Sequence, residues 1–204
     1  MLSYYNQSET CVVLLHEIYG INQHMKDIAK KLSEYQVDII CPNLLEIDGS
    51  YSYSDEQKVY QNFKENVGFA VGVEKVKKLL YQIRDEYEFI IVLGFSIGAT
   101  IAWLCSDEQG LCDMIIGYYG SRIRDYTDVI PKCPTLLFFP ENEISFDSID
   151  LIGEIEVKRN VRVYQFQGKH GFSDPYSDKY CSNSAKRAER EMINFIRNSI
   201  SLSG

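Results

Sequence analysis

Four short runs in this chain are apolar on every residue: Cys11-Val12-Val13-Leu14-Leu15, Phe89-Ile90-Ile91-Val92-Leu93, Met114-Ile115-Ile116 and Leu136-Leu137-Phe138-Phe139. A strand with one wet face alternates apolar and polar residues, whereas a strand covered on both faces does not. Val37-Asp38-Ile39-Ile40 and Val161-Arg162-Val163-Tyr164 read as two further strands. Between these runs the spacing changes to a helical one. Ile21, Met25, Ile28, Ala29 and Leu32 share a helix face, as do Val73, Val76, Leu80 and Ile83, and Ala185, Ala188, Met192 and Phe195. Ser54 and Gln57 have the spacing of a capping box opening a helix through Val59, Phe63 and Val67, and Gly68 and Gly72 are candidate breaks after it. Strand–helix alternation along the whole chain predicts a mostly parallel sheet with helices on both faces, a three-layer α/β architecture formed by residues 1–204 as one domain.

The composition agrees and narrows the function. Of 204 residues, 45% are hydrophobic and 25% charged, which fits a globular chain and excludes a largely disordered one. Twenty-one Lys and Arg against 29 Asp and Glu leave a formal charge of −8, which opposes nucleic-acid backbones and anionic membranes. No run is long enough to span a bilayer, and the first residues lack the pattern of a signal peptide. The six cysteines include no C-x-x-C pair, so the expectation is free thiols in the cytoplasm, with neither a zinc site nor a cofactor.

The most informative string is Gly94-Phe95-Ser96-Ile97-Gly98, a G-x-S-x-G directly after a buried strand and directly before a helical pattern. A serine on a sharp strand-to-helix turn needs small neighbours; the turn exposes its hydroxyl and presents the next N–H at a helix start. That hydroxyl is a poor nucleophile without a base. Of three histidines, His24 falls in a helical pattern and reads as a surface or helix-end residue, and His16 ends the first strand. His170, in the glycine-flanked Gly168-Lys169-His170-Gly171, lies downstream of the serine, as the order Ser–acid–His requires. The acid belongs on a loop between them, after Leu136–Phe139, where Glu141, Glu143 and Asp147 compete; spacing does not choose among them.

His16-Glu17-Ile18-Tyr19-Gly20-Ile21-Asn22, Cys41-Pro42-Asn43-Leu44, Gly94 to Ala99, Gly117-Tyr118-Tyr119-Gly120 and Lys169-His170-Gly171-Phe172 together resemble the dienelactone hydrolase family. The resemblance implies an α/β-hydrolase fold without a large cap, and hydrolysis of an ester, lactone or thioester through an acyl-enzyme. It puts Ser96 at the nucleophile position, where founding members carry cysteine, His170 at the base and Glu143 at the family's aspartate. Glu17 matches the carboxylate that tunes the family's thiol, and the N–H groups of Ile18 and Ile97 match its oxyanion hole. Tyr118 and Tyr119 become candidate substrate contacts.

The family holds an anionic lactone with arginines. One of them would lie four residues after His170, where this chain has Asp174, and the span of the other, 46–83, contains no arginine. Arg122 and Arg124, just after Tyr118-Tyr119-Gly120, could restore a positive site from another loop but read more simply as a solvated surface pair, while Tyr19, Tyr51, Tyr53, Tyr118 and Tyr119 suit an uncharged acyl group. The expectation is therefore a cytoplasmic, metal-independent serine hydrolase of a small neutral ester or lactone, monomeric or homodimeric. The alternative is a catalytically silent member of the fold that binds a ligand or partner.

Overall fold

The computed structural model describes residues 1–45, 49–143 and 147–201. Seven strands form one sheet in the order β1-β3-β2-β4-β5-β6-β7: β1 (Leu2–Tyr4), β2 (Thr10–Leu15), β3 (Asp38–Cys41), β4 (Phe89–Phe95), β5 (Met114–Tyr118), β6 (Thr135–Asn142) and β7 (Val161–Lys169). Every pairing is parallel except β1 against β3. Among the described residues the α-helices are α1 (Gln23–Ser33), α2 (Glu56–Asn66), α3 (Gly68–Ile83), α4 (Ile97–Cys105), α5 (Ser148–Ile155) and α6 (Ser182–Ser201). The six strands read from the sequence are present; β1 and α5 are additions to that reading.

The uniform runs are buried on both sides because alternate residues enter different cores. Val12 and Leu14 of β2 pack with Met25 and Ala29 of α1 and Ala188 and Met192 of α6. Cys11, Val13 and Leu15 pack on the opposite face with Val76 and Leu80 of α3 and Ile101 of α4. This is the α/β-hydrolase architecture expected. Strands β2, β4, β6 and β7 run in the same direction, so the residues following each emerge along one edge, where open α/β sheets place their ligands.

Two local expectations are corrected. Ser54 lies inside a short 3-10 turn (Tyr53–Asp55) capped by Ser52, and α2 starts after Asp55 with no side-chain cap, so the Ser54–Gln57 capping box does not form. Gly68, at φ +67°, does separate α2 from α3, but Gly72 lies within α3. A Cβ there would come within 2.7 Å of Ile101 Cδ1, so Gly72 serves the close approach of α3 to α4.

Candidate active site

β4 ends at Phe95, and the chain turns at once into α4, leaving Ser96 at φ 53° and ψ −112°. An L-residue adopts such angles only where its surroundings enforce them. The flanking glycines supply that enforcement. A Cβ on Gly94 would lie 2.2 Å from the Gly98 carbonyl oxygen, and one on Gly98 would lie 2.4 Å from that of Leu15. Only hydrogen fits at either position, which explains the G-x-S-x-G spacing as a packing requirement.

The register of the last two strands then brings His170 and Glu143 together. A bulge between Pro140 and Asn142 shifts β6 so that Asn142 pairs with Lys169, and the next residues, Glu143 and His170, leave the sheet side by side. His170 Nε2 lies 2.9 Å from Ser96 Oγ and its Nδ1 lies 2.8 Å from Glu143 Oε1. Glu143 is almost enclosed, its side chain 4% exposed, whereas His170 keeps 30% exposure toward the cleft. The other two acids are elsewhere. Asp147 caps α5 by accepting from the Ile149 N–H, and Glu141 is exposed on β6. Ile144, Ser145 and Phe146 of this loop lie outside the described residues.

A cleft of about 590 Å³ opens above these residues, and Ser96, Ile97, Ile18, Glu143 and His170 all border it. Ile97 begins α4, so its N–H is among the first amides of that helix, which lack intrahelical partners. Tyr19, Tyr53 and Tyr60 supply aromatic surface. Arg122 and Arg124 also line the cleft, contrary to the expectation of a solvated surface pair. Each is already engaged: Arg122 pairs with Asp125 at 2.6 Å, and Arg124 donates to the Ser121 carbonyl at 2.5 Å.

Tyr118 and Tyr119 do not border the cleft as expected of substrate contacts. Tyr118 is buried in the α6-side core, stacked on Phe95, with its hydroxyl toward Met192 Sδ at 3.7 Å. Tyr119, at φ 43°, turns its hydroxyl to Glu17 Oε1 at 2.8 Å and to Ser173 Oγ at 3.0 Å. Both rings pack in the same core, against Phe95 and Phe172, and only their hydroxyls diverge. Burial raises the Glu17 pKa above the usual carboxylate value. The Glu17 carboxylate accepts from the Tyr119 hydroxyl.

The remaining histidines are both buried. His16 lies 2.6 Å from the Glu17 carbonyl through Nδ1 and accepts the Leu44 N–H at Nε2, an arrangement that requires the neutral ring; burial pushes its pKa down to about 4. His24 sits in the first turn of α1, as the helix-end reading has it, but is only 1% exposed, which corrects the surface alternative. It packs edge-on against Phe95 and lies beside Glu17 and Asp174. No sequence spacing joins these three residues. They meet because α1, the β2 loop and the segment after β7 converge under the cleft.

The dienelactone hydrolase family model matches residues 2–200. The chain belongs to the dienelactone hydrolase family. Membership places it among the carboxylic ester hydrolases. A Bacillus subtilis relative, the uncharacterized protein YczH, is 40% identical over 168 residues, covering 81% of this chain and 82% of its own. The carboxymethylenebutenolidase of Pseudomonas putida is 23% identical, over 91% of this chain and 84% of its own. Among solved structures, a putative dienelactone hydrolase from Klebsiella pneumoniae superposes with a TM-score of 0.76 at 16% identity, covering 91% of this chain and 85% of that one. Est1E from Butyrivibrio proteoclasticus, solved with ferulic acid, superposes with a TM-score of 0.71 at 10% identity, over 96% and 94% of the two chains. These structural likenesses concern the fold. Among the described residues, no helix is long and apolar enough to cross a membrane.

Proposed function

We propose that this family member is a serine hydrolase of small, uncharged esters or lactones, working through an acyl-enzyme. The observation that carries the reading is the relay Ser96 Oγ–His170 Nε2 at 2.9 Å and His170 Nδ1–Glu143 Oε1 at 2.8 Å, at the floor of the cleft. Ser96 Oγ attacks the substrate carbonyl carbon while His170 Nε2 takes its proton, and Glu143 stabilises the imidazolium that results. The oxyanion faces the N–H groups of Ile18 and Ile97. Collapse expels the alcohol or ring oxygen, which receives the proton from His170. Water, deprotonated by the same nitrogen, then attacks the acyl carbon and releases Ser96. Glu17, bonded to Tyr119, acts on this cycle by holding the loop that carries Ile18. Small-molecule substrates are the partners implied. The cytoplasmic assignment rests on six free cysteines, five of them buried.

The test is covalent labelling of the full chain with a fluorophosphonate, read by intact mass. One adduct per chain is expected, mapped to Ser96 and absent in Ser96→Ala. A folded wild type that takes no label would overturn the reading in favour of a silent ligand-binding member of the fold.

The cleft also bears on substrate charge. Asp174 stands where the resemblance puts an arginine, and Lys179 is paired with Glu56 at 2.9 Å, as Arg122 is with Asp125. An anionic substrate would have to break such a pair to gain Arg122 or Lys179, and it would approach Asp174 as a like charge. A neutral short ester should therefore exceed its carboxylate-bearing isostere in kcat/KM by about tenfold, equivalent to ~1.4 kcal/mol. The reverse preference, abolished by Arg122→Ala or Arg124→Ala, would show that those arginines serve as an anion anchor.

A further inference from the structure

From the arrangement of Glu17, His24 and Asp174 beneath the cleft, we propose that this chain holds a buried divalent transition-metal site of the zinc type. The three side chains come from the loop after β2, the first turn of α1 and the segment after β7, and one ligand atom from each lies within 4.8 Å of the others. All three are buried, at 4%, 1% and 1% exposure. A buried histidine ordinarily spends at least one ring nitrogen on a hydrogen bond. Here neither Nδ1 nor Nε2 of His24 has a hydrogen-bond partner among the described residues, and Nδ1 approaches Asp174 Oδ2 only to 3.7 Å. The imidazole is thus held at the cluster with its donor capacity unspent.

The donor set selects the metal. One imidazole nitrogen and two carboxylates match the N/O ligands of zinc at bond lengths of about 2.0–2.2 Å, whereas calcium and magnesium prefer oxygen alone. Tetrahedral bonds of that length put ligand atoms roughly 3.3–3.5 Å apart. Binding therefore requires the ligand atoms to draw together by at most about 1.3–1.5 Å, and the His24–Asp174 pair, at 3.7 Å, by far less. The surrounding hydroxyls already orient the carboxylates: Tyr119 donates to Glu17 and Tyr53 donates to Asp174. Tyr53 in turn accepts from Asn22, whose Oδ1 caps α1, so the helix bearing His24 is tied to the same network. Glu17 and Asp174 border the cleft, which gives the ion a way in and leaves a fourth position for water. No part of this argument depends on the reaction proposed for Ser96.

The experiment is equilibrium dialysis of the purified full chain against Zn²⁺ alone, with Co²⁺ as a spectroscopic substitute. The expected result is one Zn²⁺ per chain at micromolar concentration, visible Co²⁺ absorption of four- or five-coordinate intensity, and a zinc-dependent rise in Tm. His24→Gln and Asp174→Asn, checked for folding by circular dichroism, should each weaken binding on the order of 100-fold or more, since losing a supporting group alone costs 10–100-fold. His170→Gln should bind as the wild type does. Three results would each overturn the proposal: no zinc taken up by the folded chain at ~100 µM, a concentration well above micromolar sites; unchanged binding in both His24→Gln and Asp174→Asn; or binding lost in His170→Gln, which would place the ion at the catalytic pair.

Discussion

Ser96→Gly should abolish turnover and at the same time raise the melting temperature. The loss follows from the proposed chemistry: without Oγ no acyl-enzyme can form, and removing the nucleophile from such a triad lowers kcat by at least about 10⁴-fold. The gain follows from the backbone. Ser96 sits at φ 53°, a conformation that costs a non-glycine residue roughly 1–3 kcal/mol and glycine little. Against that stand the greater freedom of glycine in the unfolded chain, about 0.4–1 kcal/mol, and the hydrogen bond to His170. His170 is 30% exposed, so water replaces that bond at small net cost. The balance is a stabilisation of about 1 kcal/mol, or ~2–4 °C in a chain of this size. Ser96→Ala should lose activity equally without that gain, because alanine keeps the strained angle. Equal Tm values for the two variants would mean that the turn is not strained, and measurable turnover in either would remove Ser96 from the nucleophile's role.

The same turn shows what the sequence makes legible. G-x-S-x-G can be read because its cause is local: two residues on either side of the serine must be glycine, since Gly98 abuts the backbone of Leu15 and Gly94 abuts that of Gly98. Uniformly apolar runs identify doubly covered strands for an equally local reason, as each residue records the face it enters. β1 and α5 leave weaker marks. Leu2-Ser3-Tyr4 is an edge strand of partly buried residues, and α5 starts from an aspartate cap that the sequence offers only as one of three candidate acids.

What the sequence does not carry is the meeting of distant segments. His24 has the spacing of an ordinary helix residue, and nothing near it in the chain indicates that Glu17 and Asp174 close over it. Adjacent Tyr118 and Tyr119 look equivalent as a motif and share one core, yet their hydroxyls find different partners, Met192 Sδ and Glu17 Oε1. Arg122 and Arg124 are likewise ordinary in sequence and become cleft residues only once α4 and the loop after β5 are in place.

The choice of acid belongs to this second kind, and it yields the other large effect. Glu143→Gln should lower kcat by about 10²–10⁴-fold with KM little changed, because in the proposed cycle the carboxylate stabilises an imidazolium that forms only as the reaction proceeds. Glutamine can still reach His170 Nδ1, so what is lost is the charge, and with it the preference for the tautomer that leaves Nε2 free to accept the serine proton. The bulge between Pro140 and Asn142 sets Glu143 beside His170, and no count of residues along the loop reveals a bulge. Asp147→Asn and Glu141→Gln supply the contrast. Asp147 caps α5, where its replacement by asparagine keeps a capping oxygen and costs little, and Glu141 is exposed on β6, so kcat should stay within about twofold in both. Glu143→Asp adds a test of reach, since removing one methylene withdraws the carboxylate by about 1.5 Å, the length of one carbon–carbon bond. A 2.8 Å hydrogen bond does not survive that retreat unless the loop follows, so Glu143→Asp should fall between the wild type and Glu143→Gln. Steady-state kinetics on one neutral ester across the four variants decides the matter. A larger loss in Asp147→Asn than in Glu143→Gln would transfer the acid's role to the head of α5 and require the loop after β6 to rearrange during catalysis.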